Sequence, residues 1–258
     1  MSRVISIANQ KGGVGKTTTA VNLSASLALL NQSTLLIDSD PQGNATSGVG
    51  LSRAKLNNNL YHALLDSVTI DEIICGTELP LLKVVPSHID LFGAEVELVN
   101  MPKREIRLQS LIDPLRSKFD YIIVDCPPSL GLLTINALTA SDSVLIPVQC
   151  EYYALEGLAH LFEALQRIKK ALNPHLIMEG ILLTMFDVRN KLSHLVVQDI
   201  QKHFSNRVFD SIIPRNVRLS ESPSFGKPVY LYDKNSRGAQ CYLQLAQEII
   251  QKRSTIHG

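Results

Sequence analysis

Asn9-Gln10-Lys11-Gly12-Gly13-Val14-Gly15-Lys16-Thr17-Thr18 lies between an apolar run, Val4–Ala8, and a stretch with helical apolar spacing at Ala20, Leu23, Leu27 and Leu30. Glycines at such a junction let consecutive backbone N–H groups curl around phosphate oxygens, and a helix N-terminus behind them adds favourable potential for an anion. Gly12, Gly13, Val14 and Gly15 would form the cradle, Lys16 would bridge the β- and γ-phosphates, and the Thr17 hydroxyl would ligate Mg²⁺. Six specified positions in this order arise by chance in roughly one or two chains in 10⁵ at average residue usage, which argues against a bare glycine turn. The common pattern GxxxxGK[ST] wants glycine at position 10, where this chain has Gln10, and the loop carries a second lysine, Lys11.

Carboxylates end two further apolar runs. Leu35-Leu36-Ile37-Asp38-Ser39-Asp40-Pro41 places two of them at the C-terminal end of a strand, where the ligand crevice of an open α/β sheet lies. An Asp there holds a metal-bound water, orients an attacking one, or caps the turn before Pro41. Tyr121-Ile122-Ile123-Val124-Asp125 has the Walker-B form, an apolar strand ending in an acid that holds Mg²⁺ directly or through water.

These residues need strands and helices to hold them. Strand-like runs are Val4–Ala8, Thr34–Asp38, Leu82–Pro86, Tyr121–Asp125, Ser143–Val148, Leu176–Met185 and Val208–Ile213. Several are apolar throughout, as in parallel strands buried on both faces. Lys16–Leu30, Ala154–Leu172, Leu192–Phe204 and Gly238–Lys252 read as helices, and Ser47–Pro80 as a helix-and-loop excursion. Strand-helix alternation predicts one three-layer α/β domain over residues 1–258, with a mostly parallel central sheet flanked by helices, and the glycine-rich loop between its first strand and helix makes this the expected P-loop NTPase fold.

The 258 residues are 45% hydrophobic and 19% charged, with net charge +1, which excludes collagen-like, disordered and disulfide-scaffold classes. Apolar runs are too short to span a bilayer, which takes about 20 residues. Scattered Cys75, Cys126, Cys150 and Cys241 have no CxxC spacing and read as reduced thiols of a cytoplasmic protein. Charge is uneven: residues 1–169 hold 13 Lys and Arg against 17 Asp and Glu, and residues 170–258 hold 12 against 7. A basic half marks either an anionic partner or a solvated surface.

The loop with its extra lysine, the segment Asp38-Ser39-Asp40-Pro41-Gln42-Gly43-Asn44-Ala45-Thr46 and the run Asp125-Cys126-Pro127-Pro128-Ser129 resemble the deviant Walker-A ATPases, specifically the ParA/Soj chromosome- and plasmid-partitioning family. The likeness extends through Pro147–Gly157 and Ile213–Lys227 and covers nearly the whole chain. It implies an ATP-sandwich homodimer with Mg²⁺. Lys11 would reach across to the partner's nucleotide, Gly12 would lie where the loops approach most closely, and Asp40 would position the attacking water. Thr18 would contact the α-phosphate, Pro214 and Asn216 the adenine, and Asp38 would support the site.

The resemblance further implies that the ATP-bound dimer binds double-stranded DNA without sequence preference, through Arg189 and Arg218, with Lys227 and Lys202 as weaker candidates. A centromere-binding ParB-type protein would stimulate hydrolysis and release the dimer from the nucleoid. Other readings on the same scaffold are a MinD-like membrane-cycling regulator, an amide-forming ligase and a nitrogenase-type iron protein. The first needs an amphipathic C-terminal helix, whereas this tail is short and polar after Ile250. The last needs paired cysteines, for which Cys126 is the lone candidate. A chain beginning almost at its first strand also leaves no room for an N-terminal helix-turn-helix domain.

Overall fold

The computed structural model describes residues 2–151 and 154–257. Seven strands form the sheet: β1 (Arg3–Ile7), β2 (Thr34–Asp38), β3 (Cys75–Gly76), β4 (Leu82–Val85), β5 (Tyr121–Asp125), β6 (Ser143–Gln149) and β7 (Ile177–Thr184). Their spatial order is β3-β4-β2-β5-β1-β6-β7, and every pairing is parallel except β3 with β4. The apolar runs are buried on both faces because helices cover both. Leu35, Ile37, Ile122 and Val124 face one apolar layer, and Leu36 and Ile123, between them in sequence, face the other. This is the three-layer α/β arrangement the alternation predicts.

Helix Lys16–Leu29 packs on the second face with the long helix Arg237–His257, where Ala20, Leu23 and Leu27 share a cluster with Tyr242, Leu245 and Ile249. Helices Ala154–Ala171 and Lys191–Phe204 supply Leu158, Leu161, Val196 and Ile200 to the opposite cluster. The final helix continues past Ile250, where the sequence turns polar. Arg253 fastens it, donating to the Asp120 carbonyl at 3.1 Å with its guanidinium 5.1 Å from the Tyr121 ring centroid. Among the described residues no helix is long and apolar enough to cross a membrane.

One expected strand differs. Val208–Ile213 runs along the sheet edge without forming a continuous strand: isolated bridges join Ile181 with Val208 and, just beyond the segment, Phe186 with Pro214, and the Phe209 and Ile213 N–H groups donate to the Ile181 and Leu183 carbonyls at 3.0 and 2.9 Å. Between them the Glu248 carboxylate takes the backbone N–H groups of Asp210 and Ser211, at 3.1 and 3.2 Å, and so diverts them from β7. Helix Leu132–Ala140 has no counterpart among the expected helices, and within the excursion the two residues of β3 are too few to give a periodic signal.

Register sets the site. β5 lies between β1 and β2, pairing Asp125 with Ile7 on one side and with Asp38 on the other. Both carboxylates therefore sit at the C-terminal edge of the sheet, beside the loop that leaves β1.

Candidate functional site

Gly13 and Gly15 adopt φ of +76° and +88°, in the left-handed region that suits glycine, and Gly15 caps the helix beginning at Lys16. Asn9 braces the entry to the loop: its amide nitrogen donates to the Pro147 carbonyl at 2.7 Å and its oxygen accepts from the Lys11 N–H at 3.0 Å. Thr184, the last residue of β7, donates its hydroxyl to the Val14 carbonyl at 2.9 Å. The loop is thus tied to two strands besides its own. No motif announced Thr184, because the contact joins positions far apart in sequence.

The two lysines have different surroundings. Lys16 is buried, and its ammonium donates to the Lys11 carbonyl at 3.0 Å from inside the loop. Burial lowers its pKa, against the opposing charges of Asp125 and Asp40. Lys11 points outward on the exposed rim and pairs with Glu151. Beside it, a Cβ built on Gly12 meets nothing within 4 Å, and the same holds at Gly13.

Asp125 is fully buried, and both of its oxygens lack a hydrogen-bond partner. Burial and the neighbouring Asp38 charge push its pKa well above the carboxylate range, while the Thr17 side chain and Lys16 pull the other way. An orphaned buried carboxylate facing a threonine and an open phosphate cradle fits a divalent cation. Among the described residues no group of three or more His, Cys, Asp or Glu forms a metal cluster. That donor set suits Mg²⁺, which usually keeps several waters and takes substrate phosphates with one or two carboxylates. Cys126 beside it is buried, its thiol pushed up to about 12 chiefly by burial, which disfavours the thiolate an iron–sulfur ligand needs.

Asp38 is equally buried but satisfied, accepting from the Thr46 N–H and hydroxyl, both at 2.7 Å, and from the Asp40 N–H at 3.2 Å. Asp40 instead lines a cavity of about 340 Å³ with Gly12, Gly13, Lys16, Thr17 and Pro128. Gly15, Thr18 and Met185 line both this cavity and a second of about 350 Å³ walled by Pro214, Asn216, Leu219 and Tyr242. A cavity beside the glycine-rich loop thus adjoins a more enclosed one.

The basic candidates lie on separate elements, and Arg189, Arg218 and Lys227 are each paired with an acid. Arg189, its side chain 85% exposed, follows β7 and pairs with Asp187 through two bonds of 3.1 Å. Arg218 lies on the short helix Val217–Glu221, beside the second cavity, paired with Glu221 and Asp233. Lys227 pairs with Glu78 at 3.4 Å. Lys202 is exposed in the last turn of Lys191–Phe204, about 17 Å along the axis from the helix start near Arg189. Tyr152 and Tyr153, within the stretch 147–157, lie outside the described residues.

Comparison with known proteins agrees with this geometry. The AAA domain family matches residues 2–178. The chain is 58% identical over 255 residues to the chromosome partitioning protein ParA of Myxococcus xanthus, covering 99% of this chain and 90% of that protein. It is 55% identical over 249 residues to the sporulation initiation inhibitor protein Soj of Bacillus subtilis, covering 96% and 98%. The chain belongs to the ParA/Soj family of P-loop ATPases. A solved structure of cobyrinic acid a,c-diamide synthase from Mycobacterium smegmatis with bound ADP and magnesium superimposes with a TM-score of 0.87 at 34% identity, covering 98% of this chain and 96% of that one. This scaffold is thus shared with a cobyrinic acid a,c-diamide synthase, at lower identity than with the ParA and Soj relatives.

Proposed function

We propose that the whole chain, residues 1–258, is one ATP-driven partitioning switch whose ATP-bound homodimer holds double-stranded DNA non-specifically and releases it on hydrolysis. The observation that carries this reading is the division between the two loop lysines: Lys16 is buried inside the cradle, and Lys11 is exposed on its rim beside the open Gly12. A lysine so placed serves a second molecule docked on the loop. There it neutralises charge developing on the partner's phosphates, as an arginine finger does.

ATP enters with its phosphates over Gly12–Thr18 and its base between Pro214 and Asn216. Thr17 and Asp125 would hold Mg²⁺, the latter through water, and the cation would supply neutralisation of phosphate charge. Asp40 orients the attacking water. Hydrolysis loosens the dimer, and a ParB-type protein accelerates that step. DNA binding rests on Arg189 and Arg218, assisted by Lys227 and Lys202, through phosphate neutralisation that ignores base identity. In the cell this places the ATP form on the nucleoid and the released form in the cytoplasm.

The test measures DNA binding by wild type and Asp40→Ala with ATP or ADP across a salt series, with anionic liposomes in parallel. Binding that needs ATP, persists in Asp40→Ala and falls with salt is expected. For roughly four engaged phosphates the slope of log K against log[salt] lies near −3 to −4. Liposome binding without DNA binding would move the chain to the MinD-like branch. Binding to neither would leave only the nucleotide site standing.

A further inference from the structure

Four buried residues close a ring of hydrogen bonds behind Asp40. The Asp40 N–H donates to Asp38 Oδ1 at 3.2 Å, and the Thr46 hydroxyl donates to Asp38 Oδ2 at 2.7 Å. The Ser87 N–H donates to the Thr46 hydroxyl oxygen at 2.9 Å, and the Ser87 hydroxyl donates to the Asp40 carbonyl at 2.7 Å. Each donor has one use, so the direction of every bond around the ring is settled. The Thr46 proton goes to the carboxylate, which leaves its oxygen to accept from Ser87.

The ring joins the end of β2, the helix Asn44–Gly48 and the turn after β4. Asp38, Thr46 and Ser87 are all 0% exposed, and Asp40 is 7% exposed. In so dry a setting a lost partner leaves a desolvated polar group, so the ring keeps one geometry. What it holds is the main chain of Asp40 on both sides, at the N–H and at the carbonyl. The Asp40 side chain completes the arrangement, its Oδ1 accepting from the Gln42 N–H at 2.9 Å. Oδ2 is left with no protein donor among the described residues, on a side chain that lines the phosphate cavity.

We infer that Ser87, with Thr46, is a positioning residue that fixes the Asp40 backbone so that the free carboxylate oxygen meets the attacking water. This rests on the reading of Asp40 as the water-orienting group. Ser87 belongs to no nucleotide motif, and it touches neither the cradle nor the base compartment. Its loss should therefore act on the chemical step and spare nucleotide binding.

The experiment compares ATPase kinetics, ATP-dependent DNA binding and thermal unfolding of wild type, Ser87→Ala, Thr46→Val, Thr46→Ser and Asp40→Ala. Ser87→Ala is expected to lower kcat by about tenfold or more, because a displacement of about 1 Å in a catalytic group costs up to about a hundredfold. Its KM for ATP should stay within about twofold and its ATP-dependent DNA binding should persist. Thr46→Val, which keeps the shape and loses the hydroxyl, should behave alike, and Thr46→Ser should retain most of the wild-type kcat. The double variant Ser87→Ala/Thr46→Val should be little worse than either single one, since one ring is broken once.

A wild-type kcat in Ser87→Ala beside an inactive Asp40→Ala would overturn the positioning role. So would a loss of ATP-dependent DNA binding in Ser87→Ala that matches its loss of turnover, which would mean the site as a whole had collapsed. Wild-type turnover in Asp40→Ala would overturn the reading of Asp40, and the role of Ser87 with it.

Discussion

The Thr184 hydroxyl donates to the Val14 carbonyl at 2.9 Å, fastening the end of the edge strand β7 to the phosphate loop. Thr184 is buried, and its methyl lies 3.9 Å from where a Cβ on Gly15 would stand, so it sets both the bonding and the packing of the loop's last turn. Thr184→Val keeps the shape and removes the bond. A buried hydrogen bond contributes about 1 kcal/mol, so nucleotide affinity should fall about fivefold, read by titration with a fluorescent ATP analogue. Unchanged affinity would mean that the loop holds its conformation without β7.

Asp38 gives the chain a pH dependence of defined sign. Burial raises its carboxyl to about 6, against the lowering effect of its bonds from Thr46 and Asp40. A carboxyl whose folded pKa exceeds its unfolded value favours the fold while protonated. Its contribution is complete below about pH 4 and is lost as pH rises through the folded pKa. Between pH 4 and 7 the nucleotide-free wild type should therefore lose stability relative to Asp38→Asn, measured by urea unfolding. A constant gap across that range would place Asp38 at its ordinary pKa.

Arg189 meets solvent already paired. Its guanidinium holds the Asp187 carboxyl down to about 2, well below the usual range. Arg189→Glu should abolish DNA binding while ATP-driven dimerisation persists. Asp187→Asn should instead tighten DNA binding, by removing the acid that competes with phosphate. Gel shifts across a salt series check both, and a wild-type salt slope in Arg189→Glu would remove this arginine from the interface.

Gly12 is constrained by nothing inside its own chain: its φ is not in the left-handed region, and a Cβ there meets no atom within 4 Å. Gly12→Val should therefore fold and bind ATP as the wild type does, yet stay monomeric in sedimentation with ATP. An ATP-dependent dimer of that variant would place the close approach of the two loops elsewhere.

The fold was legible wherever the chain repeats a simple physical pattern. Leu35–Ile37 and Ile122–Val124 read as buried parallel strands because helices cover both faces, and Lys16, Thr17 and Asp125 read from motifs that are local in sequence. Long-range capture was not legible. Val208–Ile213 has strand composition, and the Glu248 carboxylate, from a helix dozens of residues later, takes the N–H groups of Asp210 and Ser211 and so interrupts its pairing with β7. Ser87 and Thr184 were missed for the same reason, since a single hydroxyl gains its meaning from a partner that no local spacing reveals.

The helix Arg237–His257 does more than cover the sheet. Its Tyr242 walls the second cavity and exchanges a 3.1 Å hydrogen bond with Thr19, and its Glu248 holds the segment that leads into Pro214 and Asn216. Thr19 and Tyr242 stand 223 positions apart in the chain, so the wall of the second cavity is made by a segment remote from the phosphate loop. A chain cut before Arg237 would keep the glycine-rich loop and lose that wall.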